Sequence, residues 1–129
     1  MSEKMQNKLE MSPLNKTWLF DIDGTIVKHN GYKIDGVDTL LAGAKEFLNS
    51  LPENDKVVLL TSRTNEYRKE TLNFLKNNGI RYDEIIFGLP FGERILVNDK
   101  KPSGLKMAYS INSVRDEFMK TQVIINDSL

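Results

Sequence analysis

The sequence predicts an α/β fold built on a mostly parallel sheet, and three observations lead there. Four short apolar runs, Thr17-Trp18-Leu19-Phe20, Val57-Val58-Leu59-Leu60, Glu84-Ile85-Ile86-Phe87 and Arg94-Ile95-Leu96-Val97, have the length and composition of buried strands. Apolar residues at three- and four-residue intervals lie between the first and second runs and again between the second and third. The first, second and fourth runs give way to polar side chains suited to a sheet edge: Asp21, Thr61 and, one residue further on, Asp99. Strands alternating with helices form parallel sheets because a parallel pair needs a long crossover, and ligands of such sheets bind beyond the strand carboxyl ends.

The elements follow in order. Residues 1–13 are polar, carry no apolar pattern, and read as a flexible tail or a short helix. After the first strand, Val27-Lys28-His29 and Tyr32-Lys33-Ile34 flank Asn30-Gly31, a pair suited to the two positive φ values of a tight hairpin turn. The expectation is a β-hairpin flap just past Asp21. Leu40, Leu41, Ala44, Phe47, Leu48 and Leu51 form the apolar stripe of a helix that stops before Pro52. The second strand leads to Thr61-Ser62-Arg63. Thr64 or Asn65 then caps a helix with Tyr67, Thr71, Phe74 and Leu75 on its inward side and Gly79 as its left-handed C-terminal residue. Past Pro102, Leu105 to Asn112 fits either helix or strand, and Val123-Ile124-Ile125 fits a last strand or a tail. The sum is a three-layer, Rossmann-like sheet with helices on both faces. A chain of 129 residues buries one core, so we expect a single domain over 14–129 behind the tail 1–13.

Composition narrows the function classes. Apolar residues at 40% and charged residues at 28% are globular proportions and argue against long disorder. Lys plus Arg equals Asp plus Glu at 18 each, so no bulk field draws the chain to nucleic acid or to an anionic membrane. Absence of cysteine excludes disulfides, thiolate catalysis and thiolate metal sites, and fits a cytoplasmic protein. No apolar run approaches the roughly 18 residues of a membrane span.

Asp21-Ile22-Asp23-Gly24-Thr25 carries the most chemical information. Asp21 at a strand end and a second carboxyl two residues on supply one nucleophile and one acid or base around a single phosphate. Gly24 lets the backbone turn sharply toward an anion, and the Thr25 hydroxyl can hold that turn. A solvated Asp-Gly turn closing a strand is the alternative. The Thr61 hydroxyl and the amides after it, beginning with Ser62, suit a phosphate oxygen, although a residue of this type after a strand also serves as a helix cap. Asn98-Asp99 ends an apolar run in an acid. Mg²⁺ takes octahedral oxygen ligands and keeps several waters, so the Asp21 and Asp99 carboxylates with the Asp23 main-chain carbonyl would suffice; plain turn formation before Lys100-Lys101-Pro102 is the competing explanation. Arg63 could reach a substrate anion by a forked contact or form a surface ion pair. His29, the single histidine, is a substrate-contact candidate or a solvated loop residue. Asn98 joins the same group, and Trp18 reads as core.

Taken in this order, these residues resemble the haloacid dehalogenase superfamily of phosphohydrolases. The resemblance covers roughly residues 16 to 102: Asp21-Ile22-Asp23-Gly24-Thr25 matches that family's first motif, Thr61 its second and Asn98-Asp99 its fourth. It implies that Asp21 forms an aspartyl-phosphate, that Asp23 protonates the leaving oxygen and then activates water, that Thr61 with Gly24 and Ser62 binds the phosphoryl group, and that Asp99 helps Asp21 and Asp23 hold Mg²⁺. The second Asp favours phosphate-ester hydrolysis over dehalogenation. One position departs. The third motif is a Lys, often within Gly-Lys-Pro, where this chain reads Gly88-Leu89-Pro90; Arg94, Lys100 and Lys101 are the cations nearby in sequence, with Lys101 preferred.

The interval between Asp21 and Thr61 is filled by the hairpin, one helix and one strand, and that between Thr61 and Asp99 by a helix and two strands. Neither leaves room for a cap domain. By resemblance the chain is a capless member, and an open site of this kind is covered either by a bulky substrate or by a neighbouring copy in a homo-oligomer. The expected substrate is a sugar phosphate or a related small phosphomonoester. A catalytically weak binding or regulatory protein and a phosphotransferase are the alternatives.

Overall fold

The computed structural model describes residues 8–129, which divide into two compact units. The larger comprises Asn15–Phe91 and Ser113–Phe118; the smaller comprises residues 8–14, Gly92–Asn112 and Met119–Leu129. The elements in chain order are β1 (Lys8–Met11), β2 (Thr17–Asp21), α1 (Gly31–Ile34), α2 (Ala44–Ser50), β3 (Lys56–Leu60), a 3-10 turn (Asn65–Tyr67), α3 (Arg68–Asn77), β4 (Glu84–Ile86) and β5 (Gln122–Ile125).

In the larger unit β2, β3 and β4 form a parallel sheet in that order, with β3 central. Trp18 stands opposite Val57, Phe20 opposite Leu59 and Asp21 opposite Leu60; Leu60 in turn faces Ile86. Each crossover carries helix, as parallel pairing requires. α2 buries Ala44 and Leu48 completely, a four-residue step that lays both on one face. It ends at Leu51, whose ψ of 146° is the extended conformation that the ring of Pro52 imposes on its neighbour. α3 buries Thr71 and Leu75 by the same step, and Gly79 at φ 64° closes it in the left-handed region. Thr64 precedes the 3-10 turn without capping it; its hydroxyl bonds Glu66 instead.

Ile22, Ile26, Val27, Leu48, Val57, Leu59 and Leu75 are the sealed centre of this unit. An aromatic group lies beside them. The Trp18 ring meets Phe47 edge-on at 5.4 Å, and Phe20 stacks on Phe118 at 6.1 Å, which ties the short Ser113–Phe118 segment to the sheet. Trp18, expected in the core from its strand position, is only half-buried, and its Nε1–H donates to Asp55 at 3.0 Å.

Four expectations change. The hairpin over Val27 to Ile34 is not formed: Asn30 does adopt a positive φ of 55°, but Gly31 does not, and opens the helical turn α1. A hairpin of that type needs both central residues left-handed. The helix expected from Leu40 begins only at Ala44, because Leu40 bridges to Val27 and the Leu41 N–H donates to the Ile26 carbonyl at 2.8 Å. Arg94 to Val97 is not a strand. Ile95 and Val97 are 84% and 89% exposed, and strand propensity without a neighbouring strand to pack on is insufficient. Residues 105–112 are neither helix nor strand.

In the smaller unit β1 pairs in parallel with β5, Leu9 opposite Val123 and Met11 opposite Ile125. Residues 8–11 of the expected tail are therefore strand, its first seven lie outside the described residues, and Val123-Ile124-Ile125 is the last strand. Among the described residues no helix is long and apolar enough to cross a membrane.

Candidate active site

The register of the sheet brings the first two candidate groups to adjacent strand ends. Asp21 is the last residue of β2 and pairs with Leu60, the last of β3, so Thr61 is the next residue along the neighbouring strand. Ladder bonding continues one step past both: the Ile22 N–H donates to the Leu60 carbonyl at 3.2 Å and the Thr61 N–H to that of Ile86 at 3.0 Å. Beyond Asp21 the chain folds back tightly. The N–H groups of Thr25, Ile26 and Val27 all converge on the Ile22 carbonyl, and the Gly24 N–H donates to Val27 at 2.7 Å. Gly24 sits at φ 83°, a left-handed backbone that favours glycine, and a Cβ there would come within 3.2 Å of the Arg115 side chain. The Thr25 hydroxyl donates to Asp21 Oδ2 at 3.0 Å and fixes that carboxylate's rotamer.

Thr61 is 1% exposed, and its Oγ1 accepts from the Arg63 N–H at 3.0 Å, which curls the loop after β3. The segment Gly88-Leu89-Pro90 is stapled alongside: Gly88 N–H donates to the Arg63 carbonyl at 2.7 Å, Leu89 N–H to that of Thr61 at 3.1 Å, and the Ser62 hydroxyl to that of Pro90 at 3.2 Å. The main chain of Gly88-Leu89-Pro90 thus borders the Thr61 loop, with no cation at Leu89.

Arg63 is the most heavily bonded side chain of the site. Its Nε and Nη2 donate to the two oxygens of Asp23 at 3.1 and 2.9 Å. Nη2 and Nη1 also donate to the two oxygens of Asp38 at 2.7 and 3.0 Å, and Nη1 donates to Thr71 Oγ1 at 2.9 Å. The Tyr32 ring covers the guanidinium at 3.9 Å from its centroid, and Tyr67 packs edge-on against Tyr32 at 4.9 Å. Burial alone would lower the Arg63 pKa; hydrogen bonds and charge from Asp23 and Asp38 outweigh it and raise it further above the ordinary range. Burial, with the Asp23 charge second, likewise raises the Tyr32 hydroxyl.

His29 is anchored through its main chain, whose N–H donates to Asp116 Oδ1 at 2.7 Å, while Asp116 N–H donates to the Gly24 carbonyl at 2.8 Å. Its Nδ1 is buried with no hydrogen-bond partner. The larger unit accordingly gathers Asp21, Asp23, Gly24, Thr61, Ser62, Arg63 and His29. Arg94, Asn98, Asp99 and Lys101 belong to the smaller unit, where all four are exposed. There Asn98 Nδ2 donates to the Asp99 carbonyl at 3.0 Å and the Lys101 N–H to that of Leu105 at 3.0 Å. Among the described residues no three His, Asp or Glu side chains stand together as a metal site. Asp21 offers a hard oxygen donor of the kind Mg²⁺ prefers, whereas the Asp23 carboxylate is engaged by Arg63 and leaves its main-chain carbonyl as the donor consistent with the sequence reading.

Sequence reasoning missed Asp38, Tyr32, Thr71 and Asp116 as parts of this site. Asp38 follows no recognisable motif. The one available signal was the demand of Arg63: a guanidinium placed behind a buried strand must find carboxylates.

No family model matches the chain, and no curated protein does. Among solved structures, a chain of the Pnkp1/Rnl/Hen1 complex is similar over 66% of this chain, at 28% identity and a TM-score of 0.51. The similarity covers 32% of that chain, so the present protein spans about a third of its length.

Proposed function

We propose that the protein is a phosphomonoester hydrolase of the haloacid dehalogenase type. The observation that carries this reading is the adjacency of Asp21 and Thr61 at the carboxyl ends of paired parallel strands, with Asp23 and Gly24 on the tight turn that follows. In the proposed reaction an Asp21 oxygen attacks phosphorus and the bond to the leaving oxygen breaks, that oxygen taking a proton from Asp23. Asp23, now a carboxylate, takes a proton from water as the water oxygen attacks phosphorus; the bond to Asp21 breaks, and inorganic phosphate and free Asp21 result. Thr61 and the Ser62 amide bind the phosphoryl oxygens. Mg²⁺, for which the Asp21 carboxylate and the Asp23 main-chain carbonyl are the proposed ligands in this unit, would supply charge neutralisation.

The proposed substrate is a sugar phosphate or similar small phosphomonoester, and substrate bulk or a second copy of the chain is the proposed cover of the open site. A second reading, a phosphate-binding protein with feeble turnover, draws on the missing cation between Gly88 and Pro90. Hydrolysis of an aryl phosphate with and without Mg²⁺, beside Asp21→Asn, separates the two. The hydrolase reading predicts metal-dependent release of phosphate that the variant lacks; equal rates in both proteins contradict it.

A further inference from the structure

We infer that Arg63 and Asp38 are positioning residues that hold Asp23 in one orientation for proton transfer to the leaving group, an inference that rests on the hydrolase reading above. A guanidinium has five N–H donors. In Arg63 the five bonds to Asp23, Asp38 and Thr71 use every one of them. The side chain is 2% exposed and its face is covered by Tyr32. Arg63 therefore has no donor to give a substrate phosphate, and the forked contact foreseen from sequence is made to Asp23 instead.

The arrangement has a direction. The Asp38 side chain is 6% exposed, whereas the Asp23 side chain keeps 18%. Asp38 and Thr71 together fix the inner edge of the guanidinium, so its remaining edge presents two parallel N–H groups to Asp23. A carboxylate has about four lone-pair positions, and the bidentate contact consumes two. The other two face away from Arg63, free of its donors and available to a proton in transit. A lone Asp on a turn rotates about its side-chain bonds; a forked contact stops that rotation, and general acid catalysis depends on holding the donor within hydrogen-bond reach of the departing oxygen.

Leaving-group dependence tests this. A leaving group as good as an aryl oxide departs with little help, whereas an alkoxide needs the proton. Because Asp23 also serves the water step, which is common to every substrate, wild type, Asp38→Asn and Arg63→Lys are compared on the first step alone, by single-turnover release of the alcohol from an aryl phosphate and from an alkyl phosphate with Mg²⁺, with circular dichroism confirming the fold of each. Asp38→Asn keeps volume and one acceptor oxygen, so it serves if Arg63→Lys does not fold. The expected result is a loss of the single-turnover rate on the alkyl phosphate of about tenfold or more, up to the roughly 10²–10⁴-fold that general acid catalysis contributes, with a clearly smaller loss on the aryl phosphate and little change in KM. Equal losses on both substrates would reduce the pair to a structural ion pair and overturn the inference while leaving the hydrolase reading intact. A rise in KM alone would return Arg63 to substrate binding. Wild-type protein inactive on both substrates would instead defeat the hydrolase reading, and the inference with it.

Discussion

Replacing Asp55 offers a measure of how the sheet is anchored, independent of any chemistry. Asp55 is 4% exposed and lies just ahead of β3. Its Oδ1 accepts from Asn15 Nδ2 at 2.9 Å and from the Lys16 N–H at 3.0 Å, and its Oδ2 accepts from Trp18 Nε1 at 3.0 Å. One carboxylate thus ties down the start of β2. In Asp55→Ala the exposed Asn15 can turn to water, but the Lys16 and Trp18 donors are left without their acceptor, each costing about 1.5 kcal/mol, so the variant should lose about 3 kcal/mol. At roughly 4 °C per kcal/mol for a chain of this size, Tm should fall by about 12 °C. Asp55→Asn keeps one acceptor oxygen and should lose about half as much. The pH dependence follows from the same bonds. Burial alone would raise this carboxyl, but the hydrogen bonds from Asn15, Trp18 and Lys16 outweigh it and depress it below its ordinary value of 3.8. A depressed carboxyl stabilises the fold fully above its unfolded value, and that contribution disappears as pH falls through the folded value. Urea denaturation of wild type and Asp55→Asn at neutral pH and at successively lower pH should show the gap between them closing only below about 3.8. An Asp55→Ala variant within about 0.5 kcal/mol of wild type, or a gap independent of pH, would refute the argument.

Three further outcomes are expected. Gly24→Ala forces a side chain into a left-handed backbone position and against Arg115, and should destabilise by about 1 kcal/mol or more while impairing turnover, read by thermal melts and the aryl phosphate assay. Thr61→Val keeps the shape but removes the acceptor for the Arg63 N–H; melts should show a loss of about 1 to 3 kcal/mol, and KM for the phosphoester should rise. Chelating Mg²⁺ in the aryl phosphate assay should abolish phosphate release and adding it back should restore it; a rate unchanged by chelation would remove the metal from the proposed reaction.

The larger unit was legible in the sequence where one local rule decided the outcome. Apolar runs marked β2, β3 and β4, Pro52 marked the end of α2, and Gly79 the end of α3, because each of these is settled within a few residues. Asn30-Gly31 misled because a turn pair reports only that both residues can be left-handed, while the chain used just one. The run from Ile95 to Val97 misled for a different reason: strand propensity says nothing about whether a partner strand is at hand. β1 was missed because Lys8-Leu9-Glu10-Met11 is too short and polar to announce itself, and its pairing partner lies at the far end of the chain. In the site, Asp21, Asp23, Gly24 and Thr61 were visible as a motif and its spacing. Asp38 was not, since its place is defined by the three-dimensional needs of Arg63, and Asp116 reaches the Gly24 turn from a segment of no recognisable pattern.

The central claim is that Asp21 becomes covalently phosphorylated during turnover. Acid quenching of the Mg²⁺-loaded protein during steady-state hydrolysis of an aryl phosphate, followed by peptide mapping by mass spectrometry, tests it most directly. The account predicts one phosphoryl group on the peptide containing Asp21, lost on treatment with hydroxylamine and missing from Asp21→Asn. Phosphate release at the wild-type rate with Asp21 unmodified, or with the phosphoryl group on another residue, would contradict it.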